Sequence, residues 1–487
     1  MIDGAPAIRV AEVNARPVRR DGAFVLYWMI ANRRARSSFP LERAIAWAKE
    51  LDRPLVILEP LRCDYPFASD RFHRFVVDGM ADNARAFAGA PVLHHPWVER
   101  RRGEGRGLIE ALASHASVIV ADDSPIPWLR GMVRAAAERV PIRVERVDHH
   151  GLMPLRATPR AFPVAHAFRR FLQKELPAHL AAWPNDDPFA HLVLPRLRAL
   201  PREITERWPA LDRDELRDPA ALIARLPIDH TIGAIEDRGG HTAARARLAA
   251  FLEDGIDRYP NRSHPDDDAS SRLSSWLHFG HVSSHEVLGA LGARERWTPA
   301  KIAKKPTGTR EGWWNVSDAG DAFLDELVTW RELGAVRCAH TDDFMRWEGL
   351  PAWARETLEQ HARDPRPALY DRARLVRAET DDPVWNAAQR QLLAEGRIQN
   401  YLRMLWGKRV LAWTAHPREA FDLLVELNDR YSIDGRDPAS WLNVGWVFGA
   451  YDRPWAPKRP IYGSVRYMTS ESAKRKLRMK RWLAKWS

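Results

Sequence analysis

The stretch FVLYWMIANRRARSSFPLERAIAWAKELDRPLVIL, residues 24–58, decides the architecture of the first part of the chain. Phe24 to Trp28 is a short apolar, aromatic run, Leu41 to Leu51 has helical spacing, and Leu55 to Leu58 is a second apolar run. Strand, helix, strand is a βαβ unit. The pattern continues with helix 71–87, strand 91–95, helix 107–116, strand 117–121, helix 129–140 and strand 142–147. About five strands separated by helices predict an α/β domain with a doubly wound parallel sheet, over residues 1–150. After the first strand the chain reads MIANRRARSS, without GxGxxG, so a Gly-rich dinucleotide site is not expected there.

Residues 151–205 are rich in Pro, Arg and Ala (GLMPLRATPRAFPVAHAFRR, then LVLPRLRALPREI) and read as an interdomain connector. Beyond it β-branched runs almost vanish. Helical spacing dominates at 242–251, 284–291, 322–337, 351–362, 385–394, 398–413 and 417–431. An all-α domain is expected over residues 206–487.

With 487 residues, 45% hydrophobic and 29% charged, the chain is neither disordered nor fibrous. Its apolar runs fall short of the roughly 18 residues a membrane span needs, so no membrane partner is expected. The first residues carry no apolar stretch followed by a small-residue cleavage site, which points to a cytoplasmic protein. Cys63 and Cys338 are far apart and form no CxxC pair; zinc and iron–sulfur chemistry, and metal sites generally, are not expected. The net charge of +11 is uneven, because Arg459 to Ser487 holds nine bases and one acid. That patch can attract phosphates by counterion release, or be a solvated helix. The 21 Trp are uneven too: six up to Trp208, fifteen from Trp276 onward.

Four stretches carry chemistry. In WNAAQRQLLAEGRIQNYLRMLWGKRVLAWT, residues 385–414, Trp406 and Trp413 are seven apart and share a helix face, and Gly396 offers a break that folds Trp385 back towards them. Core packing gives the same spacing. In FLDELVTWREL, Glu326 and Trp330 are four apart, pairing a carboxylate with an indole that can stack on a base. LNDRYSIDGRDP sets Asp429, Asp434 and Asp437 in a polar turn before a Trp-rich helix, which also reads as a capped helix start. SSRLSSWLHFG, residues 270–280, surrounds an Arg with serines as a phosphate-binding helix start does, or a simple N-cap.

Taken together, these stretches resemble the photolyase and cryptochrome flavoproteins, most closely the class II cyclobutane pyrimidine dimer photolyases. The resemblance runs from YWMIANRR through SxLSxWLHFG, ELxxxREL, WNAAQ, YLRMLWGK and LNDRYxIDGRDP to RPIYGSVRYM. It implies an N-terminal antenna-type domain and a helical domain holding FAD, active when fully reduced, that splits a flipped-out pyrimidine dimer in DNA by light-driven electron transfer. Tyr259, Ser270, Ser271, Leu273 and Ser274 then match flavin phosphate and ribityl contacts, with Arg331 as a further phosphate partner. Arg403 and Asp434 match an ion pair beside the flavin ring, and Asn428 an amide facing its N5. Glu326, Trp330, Met404 and Trp446 match the lesion pocket, and Arg466 the residue that fills the gap left by flipped bases. Trp406, Trp385 and Trp413 match the electron relay.

The chain also departs from the class pattern. Ile398, Gln399 and Asn400 stand where the class shows Met-His-Gly. NRRARSSFPL, residues 32–41, replaces its Asp, Gln, Arg, Asn, Trp pattern, so an antenna chromophore is without support in the sequence. A six-four photolyase is expected to place histidines near the lesion, and RIQNYLRM has none. Only 19 residues follow Met468, fewer than the long tails of cryptochrome receptors, which favours repair. The expected protein is a bacterial monomer, associated with the nucleoid when on DNA.

Overall fold

A computed structural model describes residues 2–487. Its sheet has six strands, β1 (Val10–Glu12), β2 (Phe24–Trp28), β3 (Leu55–Leu61), β4 (Val92–Val98), β5 (Ala116–Asp123) and β6 (Val144–Asp148), in the order β1-β6-β5-β2-β3-β4. Strands β2 to β6 are parallel, and Tyr27 pairs with both Ile57 and Val120. The added edge strand β1 runs antiparallel to β6. It is only VAE, with no apolar run to announce it.

Alternation along β2 explains why FVLYW is apolar throughout. Phe24, Leu26 and Trp28 join one core with helices Leu108–Ala113 and Pro127–Arg139. Val25 and Tyr27 join the other with helix Phe39–Leu51. A strand covered on both faces has no side to leave polar.

The chain steps outward from β2 in both directions, so the crevice at the carboxyl ends of β2 and β5 is the switch point where such sheets bind ligands. Here Asp122 fills it. Its carboxylate accepts the backbone N–H groups of Ile30, Ala31 and Asn32 at 2.7, 2.7 and 2.9 Å, and the Tyr27 hydroxyl at 2.8 Å. The amides that a Gly-rich loop offers to a phosphate are already donated.

By contacts the chain forms two units, each discontinuous in sequence: 1–159 with 175–248 and 273–299, and 160–174 with 249–272 and 300–487. Buried histidines explain why 273–299 belongs with the sheet. His281 Nδ1 accepts the Gly240 N–H at 2.9 Å, and His285 Nδ1 lies 3.1 Å from His149 Nε2. Burial holds both imidazoles well below the usual histidine range.

The second unit is helical. Pro383–Glu395 starts on Asp382, whose carboxylate accepts the Val384 and Trp385 N–H groups, and stops at Gly396 with φ of 68°. Asn400–Trp413, Pro417–Tyr431 and Pro438–Val447 follow. Gly334, on helix Arg331–His340, permits close approach to the last of these: a Cβ there would lie 2.7 Å from the Pro438 carbonyl. Among the described residues no helix is long and apolar enough to cross a membrane.

Candidate active site

One polar cluster joins three helices at a single guanidinium. Arg403 Nη2 donates to Asn428 Oδ1 at 2.6 Å, Ser440 Oγ at 2.7 Å and Ser432 Oγ at 3.0 Å. Asn428 Nδ2 in turn donates to the Gly435 carbonyl at 2.6 Å and to Asp429 at 3.0 Å, so both ends of its amide are engaged and its orientation is fixed. Asp429 also receives the Trp441 indole N–H at 2.8 Å, and burial pushes its carboxyl up to about 6. The short bonds of Arg403 go to neutral oxygens, while the Asp434 carboxylate stands 3.5 Å away. A guanidinium so placed keeps positive charge to offer an anionic ring.

The expected lesion residues Glu326, Trp330, Met404, Trp446 and Arg466 are each half-buried, although most of their neighbours are fully covered. Glu326 is not free: Arg262 Nη2 donates to it at 3.0 Å, with the same guanidinium 4.7 Å from the Tyr259 ring centre. Burial pushes the Glu326 carboxyl above its ordinary range, against the pull of Arg262. Arg262 was not among the residues singled out from the sequence; its only signal there is a cation three residues after Tyr259. The spacing argument for Glu326 and Trp330 also needs correcting, because Asp325–Trp330 is a π-turn between α-helical segments. Its i→i+5 bonding breaks the α-helical i, i+4 register, and such turns recur at functional sites.

Behind Trp446 stands a residue that reads as surface in the sequence. Lys408 is fully buried, donates to the Val447 carbonyl and holds Nζ 5.2 Å from the Trp446 ring centre. Desolvation lowers its ammonium to about 7. Arg466 lies 5.4 Å from the same ring and 5.1 Å from that of Trp455.

The three tryptophans expected to form the relay meet in the order 406, 385, 413. Trp385 and Trp406 stack at 6.3 Å with planes 6° apart, and Trp385 meets Trp413 edge-on at 5.5 Å. Trp385 Nε1 donates to the Trp406 carbonyl and Trp406 Nε1 to Gln389. Trp413 is only 2% exposed, with Tyr370 edge-on at 5.1 Å.

Among the phosphate-side candidates, Ser270 and Ser271 are half-buried in the loop before the helix Ser274–His278, and Arg331 is buried. Tyr259 packs against Phe251 and Phe323. Leu273 is buried and Ser274 exposed; these two fall in the first unit, all other candidates in the second. Serine hydroxyls and a guanidinium are phosphate donors, and Arg403 suits an anionic ring, so the donor set fits a flavin dinucleotide.

No family model matches the chain. Its fold is that of a class III photolyase from Agrobacterium tumefaciens, with TM-score 0.67 and 16% identity over 96% of this chain and 86% of that one. A Synechocystis cryptochrome gives TM-score 0.68 and 16% identity, over 95% and 88%. The fold is therefore the one that these photolyase and cryptochrome structures share. The deoxyribodipyrimidine photo-lyase of Methanothermobacter thermautotrophicus is 31% identical over 97% of this chain and 96% of its own length, and that of Oryza sativa 31% identical over 94% and 86%. The chain belongs to the deoxyribodipyrimidine photo-lyase family.

Proposed function

We propose that this chain repairs cyclobutane pyrimidine dimers in DNA under blue light, as a monomer in the bacterial cytoplasm that joins the nucleoid when on DNA. The observation that carries the reading is end-to-end similarity to proteins named deoxyribodipyrimidine photo-lyase, combined with a half-buried acid and indoles in the same unit as a cationic polar cluster. Bound fully reduced, FAD supplies on light absorption the electron that opens the cyclobutane ring and takes it back, with no net redox change.

The protein's own residues bind and orient. Ser270, Ser271, Arg331 and Tyr259 hold the dinucleotide. Arg403, kept in place by Asn428, Ser432 and Ser440, stabilises negative charge on the ring, with Asp434 balancing it. Glu326, its carboxyl raised by burial, retains a proton more readily than an exposed glutamate and can donate it in a hydrogen bond to a thymine carbonyl. For that, Arg262 must release it. Trp330, Met404 and Trp446 flank the dimer, and Arg466 enters the duplex where the bases leave. Trp406, Trp385 and Trp413 carry electrons inward to restore the reduced state.

The test is recovery of thymine absorbance in a dimer-containing oligonucleotide exposed to blue light with the chemically reduced protein. Repair of six-four lesions alone assigns the chain to the six-four photolyases. Repair of neither lesion, with flavin tightly held, assigns it to the cryptochrome-like receptors.

A further inference from the structure

Three of the C-terminal bases, Arg478, Arg481 and Lys485, are exposed yet engaged within the chain. Arg478 pairs with Asp267, and the two segments are joined through backbone groups: Asp266 N–H donates to the Arg478 carbonyl at 3.0 Å, and Arg478 N–H to His264 Nδ1 at 3.2 Å. Arg481 donates to the Asp266 carbonyl at 2.8 Å. The Trp482 N–H donates to the Asp266 carboxylate at 2.8 Å, a bond the segment's own Met479 does not supply. On its other side the same segment grips helix Pro383–Glu395, through Trp482 Nε1 to Gln391 and Lys485 Nζ to Glu395, each at 3.0 Å. Arg390 completes the grip by donating to the Trp486 carbonyl at 3.0 Å.

The loop so held, 261–272, contains Arg262 and ends in Ser270, Ser271 and Arg272. A loop with little regular structure loses conformational entropy when it binds a ligand, and that cost falls when the loop is already fixed. Local bonds, from Arg258 to the Asp267 carbonyl and from Arg272 to Asp268, and one from Gln399 to the Arg262 carbonyl also hold the loop, and the C-terminal segment adds anchors from 206 or more residues further along the chain.

We propose that Arg478–Ser487 is a positioning element that fixes the loop 261–272 in the form that receives the FAD diphosphate. This rests on the assignment of that loop to FAD. It also reassigns the basic segment: Arg478, Arg481 and Lys485 are engaged within the chain and contribute little to the DNA phosphate contacts.

The test compares the full-length protein with Asp266→Ala, Asp266→Ser and Trp482→Ala, reading FAD release from the gain in flavin fluorescence after dilution. Loss of such an anchoring carboxylate should speed release about five- to tenfold, whereas serine, which accepts the same N–H, keeps it near wild type. Helical circular dichroism and the salt slope of duplex binding stay unchanged in all three. Unaltered FAD release in both Asp266→Ala and Trp482→Ala overturns the proposal. So does a salt slope that becomes shallower in Arg478→Ala or Arg481→Ala with flavin release unaffected. Wild-type protein that holds no FAD and takes none from solution overturns the flavin assignment itself, and the proposal with it.

Discussion

Replacing Lys408 by methionine keeps most of the side chain's volume and removes a charge that the fold buries completely. Desolvation lowers the ammonium from 10.5 to about 7, so between those values the unfolded lysine carries a proton that the folded one has shed. Stability of the wild type therefore rises with pH across this window, by about 1.4 kcal/mol per pH unit for one proton. The penalty is fully present below pH 7 and is relieved as pH approaches 10.5. From pH 7 to 10 the gain is roughly 3 to 4 kcal/mol. Methionine has no such dependence, but leaves the Val447 carbonyl without this donor, at a cost of about 1–3 kcal/mol. Lys408→Met is accordingly expected to be more stable than wild type at pH 7 by roughly 1–3 kcal/mol and less stable at pH 10, since only the loss at Val447 remains. Chemical denaturation of both proteins at the two pH values measures this, and other titrating groups cancel in the difference. A stability difference that stays constant between pH 7 and 10 would refute the reasoning.

Glu326→Ala should weaken repair by about 10- to 100-fold, the value of a hydrogen bond involving a charged or strongly polarised partner, while flavin stays bound; full repair removes Glu326 from the pocket. Trp385→Phe interrupts the ring contacts between Trp406 and Trp413. Photoreduction of oxidised flavin should fall by an order of magnitude, with repair by chemically reduced protein intact, as single-turnover assays would show. Asn428→Ala frees Arg403 from one of its three short bonds, and the reduced flavin should reoxidise faster in air, followed by absorbance. His281 and His285 are neutral in the fold and take protons on unfolding below about pH 6.5. Stability should fall as pH drops through that value, by up to about 1.4 kcal/mol per unit for each. In His281→Gln the fall should be shallower, and an unchanged slope would exclude that histidine.

The sheet was legible in the sequence because both its faces are covered, which gives β2, β3 and β5 the apolar runs 24–28, 55–58 and 118–121. Helix ends carried their own marks, as Gly396 does. The Trp chain was legible as spacing, with the break at Gly396 explaining how Trp385 meets Trp406. What stayed hidden depends on partners distant in sequence. Arg262 meets Glu326 across 64 residues, and Asp122 reaches the β2 loop across about ninety. Lysine is read as a surface residue, so nothing marked Lys408 as buried. The π-turn at Asp325–Trp330 is a change in backbone bonding that side-chain spacing does not record. Nothing in the basic C-terminal stretch marks Arg478 and Lys485 as paired, because their acids, Asp267 and Glu395, lie elsewhere in the chain.

The Asp122 carboxylate, folded onto three successive amides of the β2 loop, acts as a tethered anion at the place where related sheets wait for one from solution. These three amides are therefore satisfied from within the chain at every ligand concentration, and the turn after β2 needs no anion from solution. The same arrangement raises the barrier to acquiring a ligand there by gradual change, since any incoming phosphate competes with a group whose effective concentration never falls.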